Sequence, residues 1–450
     1  MKAPGYGEDQ PRFDDDRLPV VLVLLDGLGD RALPELGGRT PSEAAHTPNL
    51  DAFARRGASG WHLPFGWGAA PSSEVAHWSI FGYSGVPFPG RTVLEALGGG
   101  IPVPLDTAAT FACLRTSRVE GGQVLVTGRV RRDQRDLADA DALYEELEPV
   151  FSAHGAQVHR LGRGEAVVFF PAFSNGEVTD SDPFFEDYHP WLKVRPVHDR
   201  AAGLAAHLNE MLRTTRRALE RSPINLRRAT DARLPLDVLT TKWCGHRSEI
   251  PVFEAVSGVA GAAVTNSRLY RGFCALFGLA EVHQAPLKDH SEDMRARLAA
   301  ADALIAGGAR FVHVHTKATD EAGHTKDPRA KLEVLEALDA GLEGLAELSR
   351  RAVVVVTGDH ATPSRSGVLH TSDPTPFVIC GPGTRPDPVE AFGEAAAASG
   401  WIGRLRASEI LPLAFSEANR PVFLGHRATP RPTLALPDNP EPMPLPPRDP

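Results

Sequence analysis

Residues 311–324, FVHVHTKATDEAGH, close an apolar run with a carboxylate and an imidazole four positions apart, Asp320 and His324. Oxygen and nitrogen donors so spaced make half of a metal site, and the pair suits zinc, manganese or iron better than calcium or magnesium. Two other stretches repeat the design, a strand-length apolar segment ending in aspartate: VVLVLLDG at 20–27 and VVVVTGDH at 353–360. In open α/β sheets, ligands gather beyond the carboxyl ends of the strands. Asp26, Asp320, Asp359 and His360 are therefore expected to converge on one multi-ligand metal centre, although they come from opposite ends of the chain.

The elements that must position these groups can be read around them. Residues 311–316 alternate Val312 and Val314 with His313 and His315, as a strand entering a polar crevice would, and Gly323 offers a tight bend before His324. Residues 20–25 read as a buried strand, followed by a loop-rich stretch and a helix over 48–56 with Thr47 or Asn49 near its start. In 66–85, GWGAAPSSEVAHWSIFGYSG, Ser72 and Ser73 precede an acid and an apolar run. Two readings stay open for these serines. One caps the helix with its hydroxyl; the other makes one of them a nucleophile at the positive helix end, activated by a metal ion instead of a histidine base.

Composition bounds the rest. The 450 residues allow two or three domains, and 42% apolar against 23% charged content is that of a globular chain with a sizeable core. A net charge of −9, from 57 acidic and 48 basic residues, gives no general field for nucleic acid or an anionic membrane surface. The four cysteines are far apart and have no C-x-x-C spacing, which fits a reducing cytoplasm better than a disulfide framework or thiolate zinc. The apolar run at 20–27 is too short to span a bilayer and reads as a strand, not an anchor or signal peptide. Between 107 and 246 the character shifts to arginine-rich, helix-like segments, 128–149 and 207–229, around strand-like AVVFFPAF. Most of these arginines are expected on solvated helix faces. Residues 1–17 read as a loose arm and 428–450, dominated by proline, as a disordered tail.

Several stretches together carry a resemblance: LLDGLGDRALPELGGRTPSEAAHTPNLD, SSEVAHWSIFGY, RTVLEALGGGIPV, HTKATDEAGH, TGDHATPS followed by LHTSDPTPFVI, and GWIGRLRASEILPL. In this order, over 19–428, the chain resembles the archaeal-type cofactor-independent (2,3-bisphosphoglycerate-independent) phosphoglycerate mutases of the alkaline phosphatase superfamily. The resemblance implies an α/β fold: a core at 18–106 and 247–427 with a mixed, mostly parallel sheet between helices, and an inserted α/β lid at 107–246. It also implies two divalent metal ions, manganese or zinc first, with cobalt or magnesium as alternatives. One falls to Asp320, His324 and His370; the other to Asp26, Ser73, Asp359 and His360, with Ser73 the nucleophile. Lys317 matches the family's lysine and is expected to hold substrate phosphate.

The departures lie in the substrate-reading part. VLVTGR at 124–129 keeps Gly128 and Arg129 but loses the family's acid, Lys242 stands in place of an arginine, and Asp182-Pro183-Phe184 replaces Asp-Pro-His. An arginine fork and a lysine point charge grip an anion differently. Arg129, Lys242 and Lys317 are the expected contacts to a small phosphorylated acid. Interconversion of 3-phosphoglycerate and 2-phosphoglycerate through phosphoserine is the function the resemblance implies. The alternative is a mutase-like enzyme or phosphatase for another small phosphate or phosphonate acid; a non-catalytic metal protein is disfavoured by the intact Ser73 and its seven matching ligands. No nucleic acid or membrane partner is expected.

Overall fold

The computed structural model describes residues 17–183, 188–423, 433–434, 438 and 443–444. The chain divides into two units, one formed by residues 1–87, 251–267 and 276–450 and the other by 88–250 and 268–275. The first is a sheet of eight strands in the order Ala280–His283, Gly261–Thr265, Phe311–Thr316, Val20–Leu25, Val353–Thr357, Thr375–Cys380, Ala58–His62 and Gly403–Leu405. Every neighbouring pair is parallel except the two that Thr375–Cys380 makes. This is the mixed, mostly parallel sheet that the family resemblance implied.

Val20–Leu25 is all apolar because it is central and both its faces are covered. One face, with Val21, Val23, Val312, Val314, Val354 and Val356, packs on Leu50 and Phe53, Met294 and Leu298, and Leu335 and Leu338 from three helices. The other face lies towards the helices Ser73–Ile80 and Ala407–Glu417, which contact each other. The reversed strand has a consequence for the site. Its amino-terminal end lies at the sheet edge where the parallel strands finish, so the loop before it, which carries His370, reaches the same edge as the loops after the others.

The second unit is built on an antiparallel sheet, Gln157–Gly162, Glu165–Phe170, Ala108–Glu120, Gln123–Arg129 and His189–Pro190, with Val238–His246 also paired to Ala108–Glu120. The helices Gln134–Ala153 and Ala202–Arg221 cover one side through Leu143, Leu147, Phe151, Leu204, Leu208 and Met211. The helix Arg91–Gly98 belongs to this unit too. Most arginines of the stretches 128–149 and 207–229 are exposed, as expected; Arg228 is the fully buried exception, paired to Asp136 and Asp139 at 2.8 Å each, and Arg115, on the strand Ala108–Glu120, is buried against Asp182 at 2.8 Å. Most of the proline-rich tail and of the amino-terminal arm lies outside the described residues. Within that tail, Asp438 pairs with Arg420 at 2.9 Å and Arg17 at 3.0 Å.

Candidate metal centre

Three strands end where the sequence placed them, at Leu25, Thr316 and Thr357, and the ligand candidates follow within one to eight positions. Asp26 follows its strand directly and Asp359 and His360 follow theirs after Gly358. Asp320 and His324 stand on the short helix Ala318–His324, four residues apart and so on one face. Gly323 is inside that helix and makes no bend; a Cβ there would meet Thr362 O, so its role is close approach. Gly27 adopts φ 64°, and a Cβ on it would come 2.8 Å from Asp320 Oδ1. Both glycines let the ligand loops draw together.

Two groups of donors result. Asp320, His324 and His370 each offer one atom, all within 4.8 Å of one another, and so do Asp26, Asp320 and His360. Ser73 begins the helix Ser73–Ile80 as its first residue, while Ser72 is the N-cap and makes no side-chain cap hydrogen bond. Ser73 is thus not a capping residue. Its Oγ donates to Asp26 Oδ1 at 3.3 Å and lies 2.9 Å from His360 Nε2, which in turn is 3.4 Å from Asp359 Oδ2. Asp26, Ser73, Asp359 and His360 therefore share one small volume, and Asp320 reaches both groups. Asp359 Oδ2 and His370 Nε2 are buried without a hydrogen-bond partner among the described residues. Buried orphans of this kind, oxygen and nitrogen both, fit divalent cations.

The electrostatics describe carboxylates competing for positive charge. Burial opposes ionisation of Asp26, yet Lys317, His315 and His360 outweigh it and hold the group well below the usual carboxylate range. Asp359, buried and facing the charge of Asp26, is pushed well above it. Asp320 is held low against burial and Asp26 by its hydrogen bond to His324 and by Lys317. Burial, then the charge of His360, lowers His370 to about 4, so it presents a neutral ring. Lys317 Nζ stands 3.5 Å from Asp26 Oδ2 and 3.4 Å from Asp320 Oδ2, at the join of the two groups.

The remaining expected contacts lie in the second unit. Arg129 lines a cavity of about 250 Å³ with Thr116, Thr127, Gly128, Arg131, Asp136, Arg228, Arg233 and Leu234. Lys242 is buried, with Nζ 3.9 Å from the Trp243 ring centroid and 5.6 Å from that of Phe111. Phe184 falls outside the described residues. Supporting groups surround these donors, and of them His77 and Thr362 escaped the sequence reading. His315 Nε2 donates to Asp26 Oδ2 at 3.0 Å, His77 Nδ1 donates to Ser73 O at 2.7 Å, and Thr362 Oγ1 donates to Asp320 Oδ1 at 2.7 Å. For His77 a signal existed: it is four residues after Ser73 in a helix and so on its face.

The family described as the Metalloenzyme superfamily matches residues 18–417. A 2,3-bisphosphoglycerate-independent phosphoglycerate mutase of Methanopyrus kandleri is 34% identical over 417 residues, covering 89% of this chain and 96% of the relative. The chain belongs to this family of mutases. A further member from Thermococcus kodakarensis is 32% identical over 89% of this chain and 97% of its own. Among solved structures, a protein of Pyrococcus horikoshii superposes with a TM-score of 0.71 at 28% identity, over 90% of this chain and 98% of that one. The cofactor-independent phosphoglycerate mutase of Thermoplasma acidophilum gives 0.59 at 28% identity, over 89% and 100%. The mutase family is thus matched along nearly the whole chain, in sequence and in fold. Among the described residues no helix is long and apolar enough to cross a membrane.

Proposed function

We propose that this chain interconverts 3-phosphoglycerate and 2-phosphoglycerate through a phosphoserine at Ser73, in a reducing cytoplasm. The observation that carries the reading is the Ser73 hydroxyl, buried at a helix amino terminus within 3.3 Å of Asp26 and 2.9 Å of His360. Asp320, His324 and His370 would hold one divalent cation and Asp26, Ser73, Asp359 and His360 a second, manganese or zinc by their donors. Such ions, when bound, make the serine oxygen a better nucleophile and neutralise phosphoryl charge.

Ser73 Oγ attacks phosphorus as the bond to the C3 oxygen breaks, and the serine proton ends on that oxygen; the C2 hydroxyl oxygen of the retained glycerate then attacks phosphorus, Ser73 Oγ leaves, and the C2 hydroxyl proton ends on it. Asp26 accepts the hydrogen bond of the serine and so orients its lone pair. Lys317 places an ammonium beside the phosphoryl oxygens, whose spread negative charge is what the site must stabilise. Arg129 is assigned to an anionic group of the acid. A lining of four arginines against Asp136 supports that role.

A second reading has a specific observation behind it. Lys242, where the family carries arginine, stacks on Trp243 and Phe111, which favours another phosphorylated or phosphonylated acid. Phosphorus NMR of the manganese-loaded protein with 3-phosphoglycerate separates the two. Appearance of 2-phosphoglycerate supports the mutase; free phosphate alone makes the chain a phosphatase. An unchanged spectrum, with turnover of an aryl phosphate, sinks the glycolytic assignment.

A further inference from the structure

Lys331 stands in the first turn of the helix Pro328–Gly341 and is fully buried. Its ammonium donates to Gly27 O, Gly29 O and Thr362 O, each at 2.9 Å, and to Asp30 Oδ2 at 3.1 Å. Three protons facing four acceptors leave no donor idle. The acceptors come from the two loops that carry most of the ligand candidates: Gly27 follows Asp26, and Thr362 is two residues after His360. The peptide between Gly27 and its neighbours is gripped twice, its carbonyl by Lys331 and its N–H by Asp359 Oδ1 at 2.9 Å. Thr362, whose carbonyl Lys331 holds, also supplies the hydroxyl that meets Asp320.

A buried ion pair is a costly way to join two loops, and apolar packing often serves stability as well. What packing cannot do is fix the direction of three carbonyl groups at once. Burial depresses the proton affinity of Lys331, against the pull of Asp30, so the charge is retained at a cost. We propose that Lys331 is a positioning residue of the metal centre: by pinning Gly27 O, Gly29 O and Thr362 O to one ammonium, it sets the placement of Asp26 relative to Asp359, His360 and Asp320. This rests on the reading of those four as metal ligands.

The test uses Co²⁺, added to the metal-depleted full chain and followed by its visible absorption. Wild type should bind two ions; failure there defeats the ligand assignment and not the role of the lysine. In Lys331→Met, affinity for at least one ion should fall about ten- to hundredfold, the range seen when outer partners of ligands are removed. Lys331→Met with Asp30→Asn removes the charge left without its counter-ion, keeps an oxygen for the hydrogen bonds from Ser364 and Arg31, and should recover a melting temperature near wild type while cobalt affinity stays low. Recovery of both, or wild-type affinity in Lys331→Met, makes the lysine a tie of the fold only and overturns the proposal. So does failure of both variants to fold, because the lysine would then be holding the fold and not aligning ligands.

Discussion

Asp26 and Asp359 are buried at the carboxyl edge of the core sheet, where imidazoles, a serine hydroxyl, Lys317 and the Gly27 N–H stand against them. Asp136 and Asp139 of the second unit are buried almost as deeply, but Arg228 spans both at 2.8 Å, Arg227 adds 2.7 Å to Asp139, and Arg233 joins Asp136. Both regions concentrate aspartate away from water. In one the aspartates are answered by arginines, and in the other Asp26 and Asp359 crowd each other, with Asp359 pushed well above the usual carboxylate range. A carboxylate already held by two arginines gains little from a cation, whereas one crowded by other carboxylates gains much. That contrast separates a structural charge cluster from a reactive one better than the number of acidic residues does.

The contrast can be broken at either end. Ser73→Ala should lower turnover at least about a thousandfold while metal content stays near two ions per chain, because the attacking oxygen is lost and the other six ligand candidates remain. Normal turnover would place the reaction elsewhere, and transfer of the loss to Ser72→Ala would shift the nucleophile by one position. In the second unit, Arg228→Met should leave metal content unchanged but lower unfolding free energy by about 3–5 kcal/mol, since two buried carboxylates lose their shared cation. A loss under 1 kcal/mol in denaturant titration would mean that Arg227 and Arg233 suffice.

Glu394 is an intermediate case, a core acid answered by hydroxyls: Thr40 Oγ1 donates to it at 2.6 Å and Ser42 Oγ also donates. Burial raises it to about 7, with the two hydroxyls pulling the other way. The folded chain keeps a proton that the unfolded chain releases near 4.5, so the associated stability is full below pH 4.5 and drains as pH rises through 7, by about 3 kcal/mol. Glu394→Gln lacks this titration. Its unfolding free energy relative to wild type should therefore improve by that amount between pH 4.5 and 7.5, and a flat difference would show that the acid is ionised when folded. The smallest effect is expected from Arg129→Gln, about a tenfold rise in KM for the phosphorylated acid with kcat and metal content unchanged. No change in KM would remove the arginine-lined cavity from substrate binding.

How much of this was legible depends on the range of the pattern. The strand at 311–316 was visible because alternation is local, and the aspartates at strand ends were visible because a polar residue after an apolar run needs no partner to be noticed. Lys331, Asp30 and Glu394 were not, since a buried polar group makes sense only beside its partners, and these lie up to several hundred positions away. Arg228 could not be told from its exposed neighbours for the same reason: in an arginine-rich helix nothing local distinguishes the one that turns inward to Asp136. His313 and His315 alternate with valines as in a strand entering a polar crevice, and both are buried against His77.

The central strand Val20–Leu25 pairs with Phe311–Thr316 and Val353–Thr357, so its two neighbours leave the ribosome almost 300 residues or more after it. At 5–20 residues per second, roughly 15–70 s pass between the first strand and the second of these partners. Until the first partner is made, six consecutive apolar residues have neither edge paired, and until the second is made one edge stays open, which is the condition under which strands meet other chains. The antiparallel second unit, whose pairings are nearly all made within its own segment, can form meanwhile. Biosynthesis therefore delivers a finished insert attached to an unfinished core, and makes the first strand the point at which a chaperone has most to do.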